Sequence, residues 1–184
     1  MSIRLGVDLD NVISSTDVSI RALIYESFGV QLEQSDIVDF DYWRCGISRE
    51  QSDLVLHQFH RAACADVAPL EGSVSGLQRL SDDGAEISIV TSRPPECRGL
   101  TEAWLQEHAV PHDRLIFERH KQTIAVDLDG FIEDHRETAY LIAEEGARTA
   151  IFDYPWNQPM VTPEPGNIVR VYSWLDVCAL FEQD

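Results

Sequence analysis

The chain is poor in positive charge. Its 184 residues include 14 lysines and arginines against 32 aspartates and glutamates, a formal net charge of −18. A nucleic-acid polymer or an anionic membrane surface needs a basic face, so neither is expected as a partner. The net charge does not exclude a small phosphorylated substrate, because the charge at one site can differ from the net. Long hydrophobic runs are also missing: none approaches the ~20 residues of a membrane span. The four cysteines, Cys45, Cys64, Cys97 and Cys178, form no C-x-x-C pair, which argues against a zinc ribbon and a thioredoxin-type redox motif. Because the N-terminus leads directly into an apolar strand, no signal peptide is expected. Free thiols in a reducing cytoplasm are the expectation. Neither an internal repeat nor a low-complexity tract is found.

What is there begins in the first dozen residues. Leu5-Gly6-Val7 is a short apolar strand that ends in Asp8-Leu9-Asp10. Carboxylates delivered by a buried strand are costly unless they have partners. Alternation along an extended chain sends Asp8 and Asp10 to the same side. In an open α/β sheet, ligands bind at the carboxyl ends of the strands. One carboxylate that attacks, one that moves protons and a metal that offsets their charge would account for the pair.

Downstream, Ile20, Leu23, Ile24 and Phe28 recur at helical spacing, with Gly29 as a C-cap. Residues 31–47 are irregular, acidic and aromatic. Ser48-Arg49-Glu50-Gln51 is a capping box, and the helix it starts is expected to carry Val55, Phe59, Ala62 and Ala63 on one face. From residue 72 strands and helices alternate. Ile87, Ile89 and Val90 lead to Thr91-Ser92-Arg93-Pro94, Leu115-Ile116-Phe117 is a short strand, and Phe131-Ile132 leads to Glu133-Asp134. Ala150-Ile151-Phe152 and Ile168–Val171 are late strands, with helices over 135–145 and 174–182. The alternation predicts an α/β fold: a Rossmann-like parallel sheet with helices on both faces. Residues 1–13 and 72–184 form the expected core, and 14–71 a small, largely helical cap inserted after the first strand.

Three strands therefore end in polar chemistry on one edge of the sheet. Asp8 is placed as nucleophile. Thr91 or Ser92, together with Lys121, can donate to phosphoryl oxygens. Asp8, Asp134 and main-chain oxygen are hard ligands suited to Mg²⁺. Arg93 has two readings, a contact to substrate phosphate or a pair with the acidic surface.

The order of these segments resembles the haloacid dehalogenase superfamily of phosphatases. Val7–Val12 is similar to its first motif, Ile89–Pro94 to its second, Lys121 to its third and Phe131–Asp134 to its fourth. Ile132–His135 and Phe152–Asn157 look most like the 5′(3′)-deoxyribonucleotidase branch. The resemblance implies a Mg²⁺-dependent phosphomonoesterase, a 5′-nucleotidase for (deoxy)nucleoside monophosphates. It implies that Asp8 forms an aspartyl-phosphate, and that Asp10 protonates the leaving alcohol and then activates water. Thr91 and Lys121 would hold phosphoryl oxygens. Mg²⁺ would be bound by Asp8, the main-chain carbonyl of Asp10 and Asp134, with Glu133 beside them or acting through water. The chain departs from many relatives at Asn11, where Gly or Thr is common. Tyr42 and Trp43 are either core of the inserted segment or a stacking surface for a nucleobase. A sugar-phosphate phosphatase or mutase is the rival within enzymes. A receiver-type phosphoacceptor module is the rival outside them, and the 14–71 segment argues against it. Oligomeric state is not predicted.

One repeat of the first motif is a decoy. Val126-Asp127-Leu128-Asp129-Gly130 matches it closely, but a single residue separates Gly130 from Ile132-Glu133-Asp134. Asp127 and Asp129 are expected in the turn entering a strand. The pairs His57/His60 and His108/His112 lack a zinc ligand set.

Overall fold

Short apolar segments bounded by glycine, proline or carboxylates become the strands of one sheet. A computed structural model describes residues 2–158 and 165–182. Met1, 159–164 and 183–184, which fall within the expected core ranges, lie outside the described residues. In chain order the elements are β1 (Arg4–Val7), α1 (Thr16–Phe28), α2 (Arg49–Arg61), α3 (Ser73–Asp82), β2 (Glu86–Thr91) and α4 (Arg98–Glu107). They continue with β3 (Arg114–Phe117), α5 (Gln122–Ala125), β4 (Gly130–Glu133), α6 (Arg136–Glu144), β5 (Arg148–Phe152), β6 (Ile168–Val171) and α7 (Trp174–Phe181). All neighbouring strands pair in parallel, in the order β3-β2-β1-β4-β5-β6. The chain moves outward from β1 to β2 and β3, then returns to β1's other side as β4. That reversal opens a crevice at the carboxyl ends of β1, β2 and β4, the place where such sheets bind ligands.

Helices cover both faces. Leu5, Val7, Ile87, Ile89 and Ile132 pack against Leu77 and Leu80 of α3, Trp104 of α4, and Val177 and Phe181 of α7. On the other face, Val90 and Phe131 meet Ala125 of α5 and Ile142 of α6. Gly6 is required inside β1: a Cβ there would sit 2.3 Å from the Phe131 ring. An Ala at this position would have to displace a buried aromatic.

Residues 14–71 have a hydrophobic cluster of their own. Ile20, Leu23 and Ile24 of α1 meet Val55 and Phe59 of α2, with Ile37 and Val67 from the connecting segments. The first helix ends at Gly29, whose φ of +66° suits glycine. Ser48 caps α2 as its sequence predicts: its hydroxyl accepts from the Gln51 amide and the Gln51 side chain accepts from the Ser48 amide. The two crossings into the core lie side by side, with Ser15 N donating to Ala68 O and Leu70 N to Ile13 O.

Two expectations need correction. Ala62 does not share the apolar face of α2; the helix stops at Arg61 and Ala62 is exposed. A four-residue helix, α5, follows Lys121 where no element is expected, too short to carry a periodic signal.

Candidate active site

The floor of the crevice is built from the ends of β1, β2 and β4. Asp8, first residue past β1, is buried, and its Oδ1 lies 2.6 Å from Lys121 Nζ. Lys121 also donates to Glu133 Oε2 at 2.9 Å. The other Glu133 oxygen accepts from the amides of Asp134 and His135, at 3.3 and 3.2 Å. Glu133 thus holds both the lysine and its own loop. Charge-assisted bonds of this kind are what make a buried lysine tolerable. Burial alone would push the Lys121 ammonium down, but Asp8 and Glu133 more than reverse this and raise it.

Asp10 is held differently. Arg93 Nε donates to Asp10 Oδ2 at 2.9 Å and Nη2 to Oδ1 at 2.7 Å, a two-pronged pair. Thr16 Oγ1 adds a bond to Oδ1 at 2.5 Å. The guanidinium is itself fixed by Thr101 Oγ1 at 3.3 Å and lies over the Phe59 ring of α2. Burial pushes the Asp10 carboxyl up, but the Arg93 charge and hydrogen bonds outweigh it and hold it below its ordinary value. Arg93 lines the cavity, and its ion-pair partner is the part-buried Asp10 carboxylate of the floor.

Asp8, Glu133 and Asp134 each offer one oxygen, all within 4.8 Å of one another. Burial and the neighbouring carboxylates Glu133 and Asp10 push Asp8 up to about 7, against the pull of Lys121. Burial, with Asp8 and Glu133, pushes Asp134 well above the ordinary carboxyl value. With all four floor carboxyls ionised, against the two cations Lys121 and Arg93, the floor would carry a formal excess of two negative charges; burial and this excess are why Asp8 and Asp134 are pushed up in the absence of a further cation. An all-oxygen, doubly negative cluster fits a hard divalent cation such as Mg²⁺. The Asp10 carboxylate is not in that cluster, so any contribution from Asp10 is left to its main chain.

Asn11 explains the departure noted in the first motif. Its φ is +59°, a left-handed conformation that asparagine tolerates better than most residues. Its side chain accepts from the Asp17 amide at 2.7 Å and donates to Asp134 Oδ2 at 3.2 Å.

Above the floor is a cavity of about 420 Å³. Ile20, Ile37, Phe40, Tyr42, Leu56 and Phe59 of the 14–71 segment form its apolar wall, and Ser92, Arg119 and Lys121 are on the core side. Tyr42 lines the cavity and is also packed core; its hydroxyl donates to Asp17 Oδ1 at 2.9 Å. Trp43 is not among the residues lining the cavity; its ring lies against the guanidinium groups of Arg44 and Arg49, at 4.8 and 4.3 Å. The aromatic beside Tyr42 at the cavity is Phe40, half exposed, 4.5 Å from the His135 ring. Thr91 is fully buried and its Oγ1 accepts from the Arg93 amide, while Ser92 faces the cavity. Sequence reasoning missed Thr16, Phe40, His60, Arg119 and Trp156, all of which line it. Trp156 carried a signal within the Phe152–Asn157 segment, Phe40 within the aromatic 31–47 segment and His60 in its spacing from His57, whereas Thr16 and Arg119 carried none.

The family model described as 5′ nucleotidase, deoxy (pyrimidine), cytosolic type C protein matches residues 1–183. The chain belongs to that family. A curated protein of Chlorobaculum tepidum that carries the provisional name 5′(3′)-deoxyribonucleotidase is 27% identical over 186 residues, covering 96% of this chain and 88% of its own. Among solved structures, a haloacid dehalogenase-like hydrolase of Streptococcus pneumoniae superposes with a TM-score of 0.68 at 13% identity, covering 98% of both chains. A haloacid dehalogenase family hydrolase of Deinococcus radiodurans, solved with bound phosphate and sodium, gives 0.65 at 16%, covering 97% of this chain and 95% of its own. A third, of Bacillus subtilis and bound to magnesium, gives 0.70 at 12%, covering 99% of both chains. The enzyme is a phosphatase of the haloacid dehalogenase superfamily, with that superfamily's α/β fold. Among the described residues, no helix is long and apolar enough to cross a membrane.

Proposed function

We propose that this phosphatase hydrolyses (deoxy)nucleoside monophosphates in the cytoplasm through an aspartyl-phosphate on Asp8. The observation that carries the reading is the meeting, in one cavity, of the Asp8–Lys121 pair, the Asp8/Glu133/Asp134 cluster and an apolar, aromatic wall. Asp8 would attack phosphorus as the bond to the leaving oxygen breaks, and Asp10 would give that oxygen its proton. Water then attacks the same phosphorus, loses a proton to Asp10 and releases the Asp8 carboxylate. The second step thus returns to Asp10 the proton that the next first step uses. Arg93 favours the ionised form of Asp10, the form that takes the proton from water.

Ser92 and Lys121, which line the cavity, would donate to phosphoryl oxygens, with Thr91 supporting the loop through the Arg93 amide. Asp8, Asp134 and the main-chain carbonyl of Asp10 would hold Mg²⁺, with Glu133 at the edge of the set. The cation, when bound, offsets the charge that a phosphate brings to four carboxylates. Residues 14–71 would act as a cap, with Phe40 and Tyr42 beside the base; a flat ring suits such a wall. A phosphate-release screen over ribo- and deoxyribonucleotides and sugar phosphates, with Mg²⁺, tests the reading. Nucleoside monophosphates should lead it; a preference for sugar phosphates would overturn the substrate class.

A further inference from the structure

Residues 154–157, just past β5, make three hydrogen bonds to the two loops of the acidic floor. Trp156 Nε1 donates to Asp134 Oδ2 at 3.1 Å. Asn157 Nδ2 donates to the Asp134 carbonyl at 2.9 Å. Tyr154 Oη donates to the Asn11 carbonyl at 2.9 Å, and Asn11 Nδ2 donates to Asp134 Oδ2. The Tyr154 and Trp156 rings stack with centroids 4.2 Å apart and planes 11° apart. Trp156 also belongs to the hydrophobic cluster of the 14–71 segment. The indole is thus wedged between that segment and the floor, with its N–H on a carboxylate.

We propose that Trp156 is a positioning residue for the cation site: its indole N–H, with the Asn11 carboxamide, occupies Asp134 Oδ2 and leaves Oδ1 for the cation. A carboxylate oxygen has two lone-pair directions, and two neutral donors fill them without neutralising the group. The carboxylate plane is then fixed before a cation arrives, so none of the binding is spent on ordering it. Donors behind metal ligands act in this way generally, and losing one typically weakens metal affinity 10- to 100-fold. The other two buried tryptophans differ in kind. Trp104 and Trp174 donate to the main-chain carbonyls of Val67 and Val12, at 2.7 and 2.9 Å.

The inference rests on the reading of Asp134 as a cation ligand, and the two can fail separately. The experiment is a calorimetric titration of the full chain with Mg²⁺, comparing wild type, Trp156→Phe and Asp134→Asn. Phenylalanine keeps the stack on Tyr154 and removes the donor. Trp156→Phe should raise the Mg²⁺ Kd about tenfold or more at an unchanged circular dichroism spectrum. A Kd within twofold of wild type would overturn the inference. If Asp134→Asn also binds as wild type does, the cation-ligand reading falls with it. If Asp134→Asn loses binding while Trp156→Phe keeps it, the positioning role alone is wrong. Should Trp156→Phe fail to fold, the wild type answers by ¹⁵N NMR of its indole N–H groups. The Trp156 resonance should move on Mg²⁺ addition while those of Trp104 and Trp174 stay; a Trp156 resonance that does not move would overturn the inference.

Discussion

Val7-Asp8-Leu9-Asp10-Asn11 and Val126-Asp127-Leu128-Asp129-Gly130 are nearly the same pentapeptide, and they lie at opposite ends of one sheet. The first leaves the carboxyl end of β1. There Asp8 is buried against Lys121, and the part-buried Asp10 pairs with the buried Arg93. The second enters the amino end of β4. There Asp127 and Asp129 are exposed, and Asp129 pairs with Arg4, both side chains about half exposed at 46% and 47%. The same residues thus have opposite electrostatics. Burial raises Asp8 to about 7, whereas the Arg4 bonds lower Asp129. In a parallel sheet the end of the strand decides whether a paired-aspartate motif meets the other loops, and so whether it has chemistry to do.

The largest effect that could break this contrast is at the two first aspartates. Asp8→Asn should abolish phosphate release with the fold intact, since a carboxamide does not attack phosphorus well. Asp127→Asn should keep most of the activity. The reverse outcome would move the site to the other end of the sheet. At the second aspartates, Asp10→Asn should cost on the order of 10²-fold or more in kcat on a poor leaving group, the usual scale of acid–base catalysis. A near-normal rate there would remove Asp10 from the chemistry.

Cation binding sharpens the contrast next. Activity should vanish with a chelator and return with Mg²⁺. At about 100 times its Kd, Mg²⁺ should also stabilise the fold by about 2.7 kcal/mol, seen as a raised melting temperature. Asp134→Ala should remove most of that shift; an unchanged shift would place the cation elsewhere. The smallest effect is at Asp129→Asn, an exposed pair remote from the floor. Its melting temperature and its response to Mg²⁺ should both stay close to wild type.

Much of this was legible in the sequence. Apolar strands that stop at Asp8, Thr91 and Glu133 announce themselves locally, and a parallel sheet puts their ends together. The capping box at Ser48 and the glycine after α1 are likewise local signals. What was not legible depends on distance. Arg93 finds Asp10 across 83 positions, and no local pattern announces that pair. Trp156 meets Asp134 only because β5 lies beside β4. Between residues 31 and 47 there is no periodicity to assign a face. Hence Phe40, and not Trp43, reaches the cavity, although both look alike in an aromatic run.

The central claim is that phosphorus becomes bonded to Asp8. A single turnover quenched with borohydride tests it directly, because hydride reduces an acyl phosphate and converts that aspartate to homoserine. Peptide mass spectrometry should place the change at residue 8 and nowhere else. Homoserine at residue 10 or 127, with residue 8 unmodified, would contradict the account.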